Sequence, residues 1–126
     1  MAFRFEGLEI WQLAKAFADR VCTTTAGFPR KEDYALTSQL NRAAYSVVLN
    51  IAEGSGRGTN AEFNHFLGIA VGSVFEVAAG LHLAKEQRYI DEQAFANPYE
   101  DADRLGRKIN AFRKTLGTSQ HPPYKR

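Results

Sequence analysis

Thr59-Asn60-Ala61-Glu62-Phe63-Asn64-His65-Phe66-Leu67-Gly68-Ile69-Ala70-Val71-Gly72-Ser73-Val74-Phe75-Glu76-Val77-Ala78-Ala79-Gly80-Leu81-His82-Leu83-Ala84 is the stretch that decides the fold. Phe63, Phe66, Leu67, Ala70, Val74, Val77, Leu81 and Ala84 recur at steps of three and four, the period of one helix face. Thr59 and Glu62 have capping-box spacing, in which each side chain accepts from the other residue's backbone N–H. The pattern predicts a helix over 60–89, roughly 45 Å long at 1.5 Å per residue.

The other side of this helix is also apolar or small: Gly68, Gly72, Phe75, Ala79 and Gly80. A helix apolar nearly all round is buried nearly all round, and one bundle covers only one side of a peripheral helix. Small residues four apart let a second helix approach closely. Gly68, Gly72, Phe75 and Ala79 therefore read as an oligomer interface. The alternative is a partly exposed glycine-rich helix, weakened by about 1 kcal/mol per Gly relative to Ala.

Outward from this segment the same period repeats. Leu8, Trp11, Ala14, Phe17, Ala18 and Val21 predict a helix over 8–25, stopped by Gly27-Phe28-Pro29. Leu36, Leu40, Ala43, Val47 and Ile51 predict one over 32–53, with Glu32 and Asp33 in its first turn complementing the helix dipole. Ala102, Leu105, Ile109, Phe112 and Leu116 predict a fourth over 91–116, with Asp91 as N-cap. Pro98 either kinks this helix or opens a new one capped by Asn97. Residues 117–126 read as a frayed tail. No segment alternates with period two, and no internal repeat is present. Four long helices with short connections predict an all-α chain, one domain over 1–126, folded as an antiparallel up-and-down four-helix bundle.

Composition sets the class. The 126 residues are 44% hydrophobic and 24% charged, which excludes wholesale disorder and a collagen-like fibre. A single cysteine, Cys22, excludes an intrachain disulfide and favours a reducing, cytoplasmic setting. The N-terminus lacks a signal-peptide pattern, and no run approaches the roughly 18 uninterrupted apolar residues of a membrane span. The expectation is a protein with no membrane role. Net charge is only +2.

Several stretches resemble one known family. They are Phe5-Glu6-Gly7-Leu8-Glu9-Ile10-Trp11, Phe28-Pro29, Tyr34 to Leu40, Arg42-Ala43-Ala44, Asn50 to Gly58, Glu62-Phe63, Phe66-Leu67, Ala70, Gly72-Ser73 and Glu76. Together they resemble the four-helix-bundle family of 23S rRNA intervening-sequence proteins. Asn50-Ile51-Ala52-Glu53-Gly54-Ser55-Gly56-Arg57-Gly58 is the most specific part. The resemblance implies a small cytoplasmic bundle that assembles as a homopentamer and has a supposed association with nucleic acid. The chain departs from the family pattern at Ser46-Val47-Val48-Leu49, where relatives often carry a proline. It also departs at Val71, Ala78 and Ala79, where many are polar, and at Pro98.

Several constellations bear on chemistry. Gly54–Gly58 with Arg57 could cradle an anion at a helix start. Its alternative is a plain helix connection, and no Walker A sequence is present. Asn50 is expected to hydrogen-bond a neighbouring helix or loop. Glu53, disfavoured at a helix C-terminus, is expected to anchor the glycine loop through Arg57 or backbone amides. Glu62 and His65 have the Glu-x-x-His spacing of di-iron bundles, but the second pair that such a site needs is missing. His65, His82 and His121 lack partners at zinc-ligand spacing. No nucleophile elbow appears, and Cys22 has no catalytic signature around it. These patterns predict no metal, no cofactor and no enzymatic activity.

Charge is uneven. Residues 101–126 carry seven basic and two acidic side chains, whereas residues 1–100 carry nine basic and twelve acidic ones. Arg104, Arg107, Lys108 and Lys114 fall within an arc of about 120°, opposite the Leu105–Ile109–Phe112 stripe. Repeated around a homo-oligomer, this face could bind RNA or DNA weakly through phosphates. The competing expectation is a structural or protein-binding scaffold ring with no nucleic-acid role.

Overall fold

Four apolar stripes of helical period have one joint solution, which is to turn all four inward. The computed structural model describes residues 2–116; the expected tail, with His121, Lys125 and Arg126, lies outside the described residues. The helices are α1 (Glu9–Thr25), α2 (Leu36–Ser55), α3 (Asn60–Glu86) and α4 (Glu92–Leu116), with 3-10 turns at Arg4–Gly7 and Arg30–Glu32. Each helix packs on the next, and α4 closes onto α1. The short α2–α3 and α3–α4 connections make those neighbours antiparallel. The chain is all-α, a four-helix bundle, with no strand among the described residues.

The core follows the stripes. Phe17 and Val21 of α1, Leu40, Val47 and Ile51 of α2, Phe63, Leu67, Val77 and Leu81 of α3, and Leu105 and Ile109 of α4 are all essentially inaccessible. Each such side chain contributes about 1.5–3 kcal/mol relative to leaving it exposed. At one end Phe112 meets Phe63 edge-on at 5.5 Å, and Arg4 lies over the outer face of the Phe63 ring.

Helix ends show where local signals were overruled. Glu32 and Asp33 do not lie in the first turn of α2. Glu32 ends the preceding 3-10 turn and Asp33 is that turn's C-cap, because Ala35 departs from helical geometry and the helix starts at Leu36. Glu32 nevertheless caps α2 from outside, accepting the Leu36 N–H at 3.1 Å. Its other oxygen accepts the Tyr89 hydroxyl at 2.8 Å, tying the α1–α2 connection to the α3–α4 connection. The Tyr89 hydroxyl and the Leu36 amide hold the Glu32 carboxyl below its ordinary range.

Helix α3 ends at Glu86 rather than at 89. The Tyr89 N–H bonds the Ala84 carbonyl and the Arg88 N–H bonds the Lys85 carbonyl. This is the Schellman pattern that closes many helices. Its left-handed position is held by Arg88, with φ 65°, where glycine is the usual residue. At the other end Thr59 accepts the Glu62 N–H at 3.1 Å. The reciprocal half of the capping box is replaced by a Thr59 hydroxyl to Glu62 carboxylate bond.

Pro98 neither breaks α4 nor starts a new helix. It lies inside the continuous Glu92–Leu116 helix, and its ring is fully buried. Burial of the ring offsets the backbone bond that proline removes. Asp91 accepts the Ala94 N–H at 2.8 Å, the expected N-cap contact. Helix α3 is long and apolar enough to cross a membrane by length and composition, with a mean hydropathy of 1.7 over its best window, although Glu76 interrupts every 18-residue run within it. Part of that apolarity faces the bundle core through Phe63, Leu67, Ala70, Val77 and Leu81.

Candidate functional site

The outward side of α3 is the most distinctive surface. Phe75 is 70% exposed, with Leu83 at 52% and Ile69 at 42% on the same side. Gly72 and Ala79 lie exposed between them, and Gly68 is half-buried. A Cβ at Gly72 would meet nothing within 4 Å, whereas one at Gly68 would touch the Arg113 guanidinium at 3.3 Å. Gly80 does not belong to this face. It is buried, and a Cβ there would overlap the Leu40 side chain. The exposed stripe is therefore Gly68, Gly72, Phe75 and Ala79, widened by Ile69 and Leu83.

On the α4 side of this stripe lies a largely apolar groove of about 260 Å³, lined in part by Val74, Phe75, Ala78, Tyr99 and Gly106. Helix α2 adds two exposed apolar side chains, Tyr45 and Leu49, which the helical stripes did not single out. Cys22 of α1 donates its thiol to the Tyr45 hydroxyl at 3.3 Å.

The four basic residues of α4 do share an exposed face, but three of them are paired. Arg104 meets Asp101 at 3.5 Å, Arg107 meets Asp103 at 3.2 Å, and Lys108 meets Glu9 of α1 at 3.5 Å. Asp101 also takes Arg20 of α1 at 2.6 Å. Lys114 is exposed without a partner among the described residues. A single-helix wheel cannot reveal Glu9, which lies 99 positions away in the chain.

The Asn50–Gly58 segment divides into two parts. Gly54 and Ser55 are the buried last turn of α2, not loop. A Cβ on Gly54 would approach Phe63 Cδ1 and Phe66 Cβ at 2.8 Å, so glycine there lets α2 and α3 cross closely. Glu53 meets Arg57 at 3.7 Å, and Arg57 also reaches Glu62 at 3.6 Å while lying over the Phe66 ring at 4.9 Å. With two carboxylates around Arg57, the segment presents a neutralised guanidinium rather than an anion cradle.

Asn50 does not reach a neighbouring helix. Its Nδ2 donates to the Ser46 carbonyl at 2.8 Å and to Ser46 Oγ at 2.9 Å within its own helix. Ser46 Oγ then bonds Ser73 Oγ of α3 at 2.9 Å, so the link across helices runs through serine. Glu62 is committed to Thr59 and Arg57, and His65 packs edge-on to Phe66. His82 packs edge-on to Phe95 and Tyr99. No group of three potential metal ligands is found among the described residues.

Beside the Ser46–Ser73 pair runs a polar cleft of about 360 Å³, lined by Gln39, Arg42, Ala43, Ser46, Ser73 and Glu76. Reading the helices one at a time missed it, because its walls come from α2 and α3 together. The Gln39 amide donates to Glu76. Arg42, in the same cleft, has no partner among the described residues.

A model of the 23S rRNA-intervening sequence proteins matches residues 6–111, from the first turn through most of α4. The chain belongs to the 23S rRNA-intervening sequence protein family. The bundle is similar to the crystal structure of a protein of unknown function from the S23 ribosomal protein family of Bacteroides thetaiotaomicron. The two share a TM-score of 0.78 at 20% identity, covering 83% of this chain and 98% of that one. At this identity the likeness establishes the shared fold. No curated protein matches the sequence. In this intervening-sequence protein the Asn50–Gly58 segment thus serves the α2–α3 turn. The exposed features left over are the α3 stripe, the α4 cations and the polar cleft.

Proposed function

We propose that this intervening-sequence protein is a non-enzymatic, cytoplasmic subunit of a homo-oligomer, a five-membered ring, with the outward stripe of α3 as an assembly surface. The observation that carries the reading is Phe75, 70% exposed beside Ile69, Leu83, Ala79 and the open backbone at Gly72. Exposed large apolar side chains gathered on one face of a small protein mark an interaction site. A gap at glycine lets a second helix pack closely. The test is Gly72→Leu, read by light scattering. Its side chain points into open space in the single bundle, so helical content persists while assembly weakens. A parent protein that is monomeric at micromolar concentration refutes the reading.

RNA or DNA binding by the assembled ring is the second reading. It is favoured by Arg104, Arg107, Lys108 and Lys114 sharing one exposed face, and by a family description that refers to 23S rRNA. Exposed ion pairs are worth about 0–1 kcal/mol, so phosphates can compete with Asp101, Asp103 and Glu9. Four cations facing three carboxylates leave little net charge per subunit, however, which places scaffolding first. Arg107→Glu with Lys108→Glu abolishes any salt-dependent binding if this face is used. Undiminished binding by that variant rejects the assignment.

A further inference from the structure

The α2–α3 cleft combines features that the bundle does not need. Its walls are mainly polar, unlike the usual ligand pocket, and its volume of about 360 Å³ suits a small molecule. Asn50 ties into the cleft through Ser46. Ala43 packs in the core, and Ser73 is 8% exposed. Gln39, Arg42 and Glu76 are exposed polar residues that converge on the cleft. A few convergent polar groups in a cleft are what fix the orientation of a bound small molecule.

The donor and acceptor inventory defines what fits. Because the Ser46 carbonyl can only accept, the Asn50 amide is oriented with Nδ2 towards Ser46, and both of its protons are used there. Ser73 donates its hydroxyl to Ser46 Oγ. The Ser46 hydroxyl proton is left over. The cleft therefore offers the guanidinium donors of Arg42 and one serine O–H. It also holds Glu76, an acceptor whose one hydrogen bond among the described residues comes from the Gln39 amide. Arg42 and Glu76 line the same cleft without pairing with each other.

We propose that this cleft binds a small zwitterion of the amino-acid class. Its carboxylate lies on Arg42 and the serine hydroxyl, and its ammonium group on Glu76. A guanidinium recognises a carboxylate through paired charge-assisted hydrogen bonds. The Glu76 carboxylate repels a phosphate and attracts an ammonium, which selects zwitterions over plain anions. The cleft is built within one subunit, but Glu76 lies on α3 beside the proposed assembly stripe, so oligomeric mass and ligand binding are read separately.

The test is calorimetric titration and thermal shift of the full chain with the protein amino acids, one at a time. Acetate, methylammonium, glycine betaine and inorganic phosphate serve as comparison probes. The expected result is binding of at least one amino acid at millimolar or lower concentration. Acetate and methylammonium should then bind far more weakly, and betaine, which has no N–H, should lose the Glu76 contact. Arg42→Gln weakens binding by about ten- to a hundredfold, the range of charged hydrogen bonds. Glu76→Gln erases the preference for amino acids over acetate, a reversal that a structural role does not produce. Ser46→Ala, which removes the serine donor and is expected to weaken binding, keeps the test sound if either charge variant misfolds, and circular dichroism monitors folding throughout. No binding by any amino acid overturns the proposal, as does phosphate binding as tightly as the best amino acid. Loss of oligomeric mass in the cleft variants without ligand binding also overturns it, because a second copy would then fill the cleft. Amino-acid binding by a monomeric protein leaves the proposal standing and removes the assembly reading instead.

Discussion

Two glycines in helix interiors should respond to alanine with opposite signs. Alanine is favoured over glycine in a helix by about 1 kcal/mol, so Gly→Ala stabilises wherever the methyl fits. At Gly106 of α4 the new Cβ would lie 3.7 Å from Val74 Cγ1, an ordinary contact. Gly106→Ala is therefore expected to stabilise by about 1 kcal/mol, or roughly 3–5 °C in Tm for a chain of this size. At Gly80 of α3 the Cβ would overlap Leu40 Cδ2 and sit 3.0 Å from its Cγ. Leu40 is wholly buried, so its branch has no solvent to swing into. Overpacking of this kind costs about 1–3 kcal/mol, which outweighs the helix-propensity gain. The expected net loss is about 0–2 kcal/mol, towards the upper end because the overlap with Leu40 is severe. The assay is urea unfolding at fixed protein concentration, with the slope checked for constancy. A double-mutant cycle adds the mechanism. Leu40→Ala alone costs about 2–5 kcal/mol by opening a cavity. In the Gly80→Ala background the new methyl takes part of that space, so the two changes should couple by about 0.5–3 kcal/mol. Gly80→Ala as stabilising as Gly106→Ala, or strict additivity with Leu40→Ala, would refute the packing argument.

Arg88→Gly is expected to raise stability by roughly 1 kcal/mol in chemical denaturation, because glycine removes the left-handed strain at φ 65°. For Glu32, the folded carboxyl lies below its ordinary range through the Tyr89 and Leu36 hydrogen bonds. Its stabilisation is therefore complete above the ordinary carboxyl pKa and is lost as pH falls through the lowered one. Tyr89→Phe should flatten this acid limb in a Tm-against-pH series while keeping the Phe28 ring contact. Gly54→Ala should destabilise the protein, because Phe63 and Phe66 leave no room for a Cβ; thermal unfolding checks it.

What the sequence made legible was whatever one helix carries by itself. The inward stripes, the Asp91 cap and the Thr59 start all follow from residues within a turn or two of each other. What it concealed depends on two elements at once. Gly80 lies at the margin of the helical arc, and only Leu40 of α2 places it in the core. The α4 cations form a positive face on a wheel, and their neutralising partners include Glu9 on another helix. The start of α2 was misread because Glu32 has the charge favoured in a first turn. In the structure it caps the helix from one turn earlier and binds Tyr89 across the bundle end. The same limit bears on function. The residues of the α2–α3 seam fall into two groups once the helices are packed. Gly54, Phe63 and Leu67 build the bundle, and their identities follow from close approach and burial. Arg42 and Glu76 are exposed and do not pair with each other: Arg42 has no partner among the described residues, and Glu76 has the neutral Gln39 amide. Two opposite charges in one cleft, neither met by a counter-charge, are the donor and acceptor that the proposed zwitterion would use.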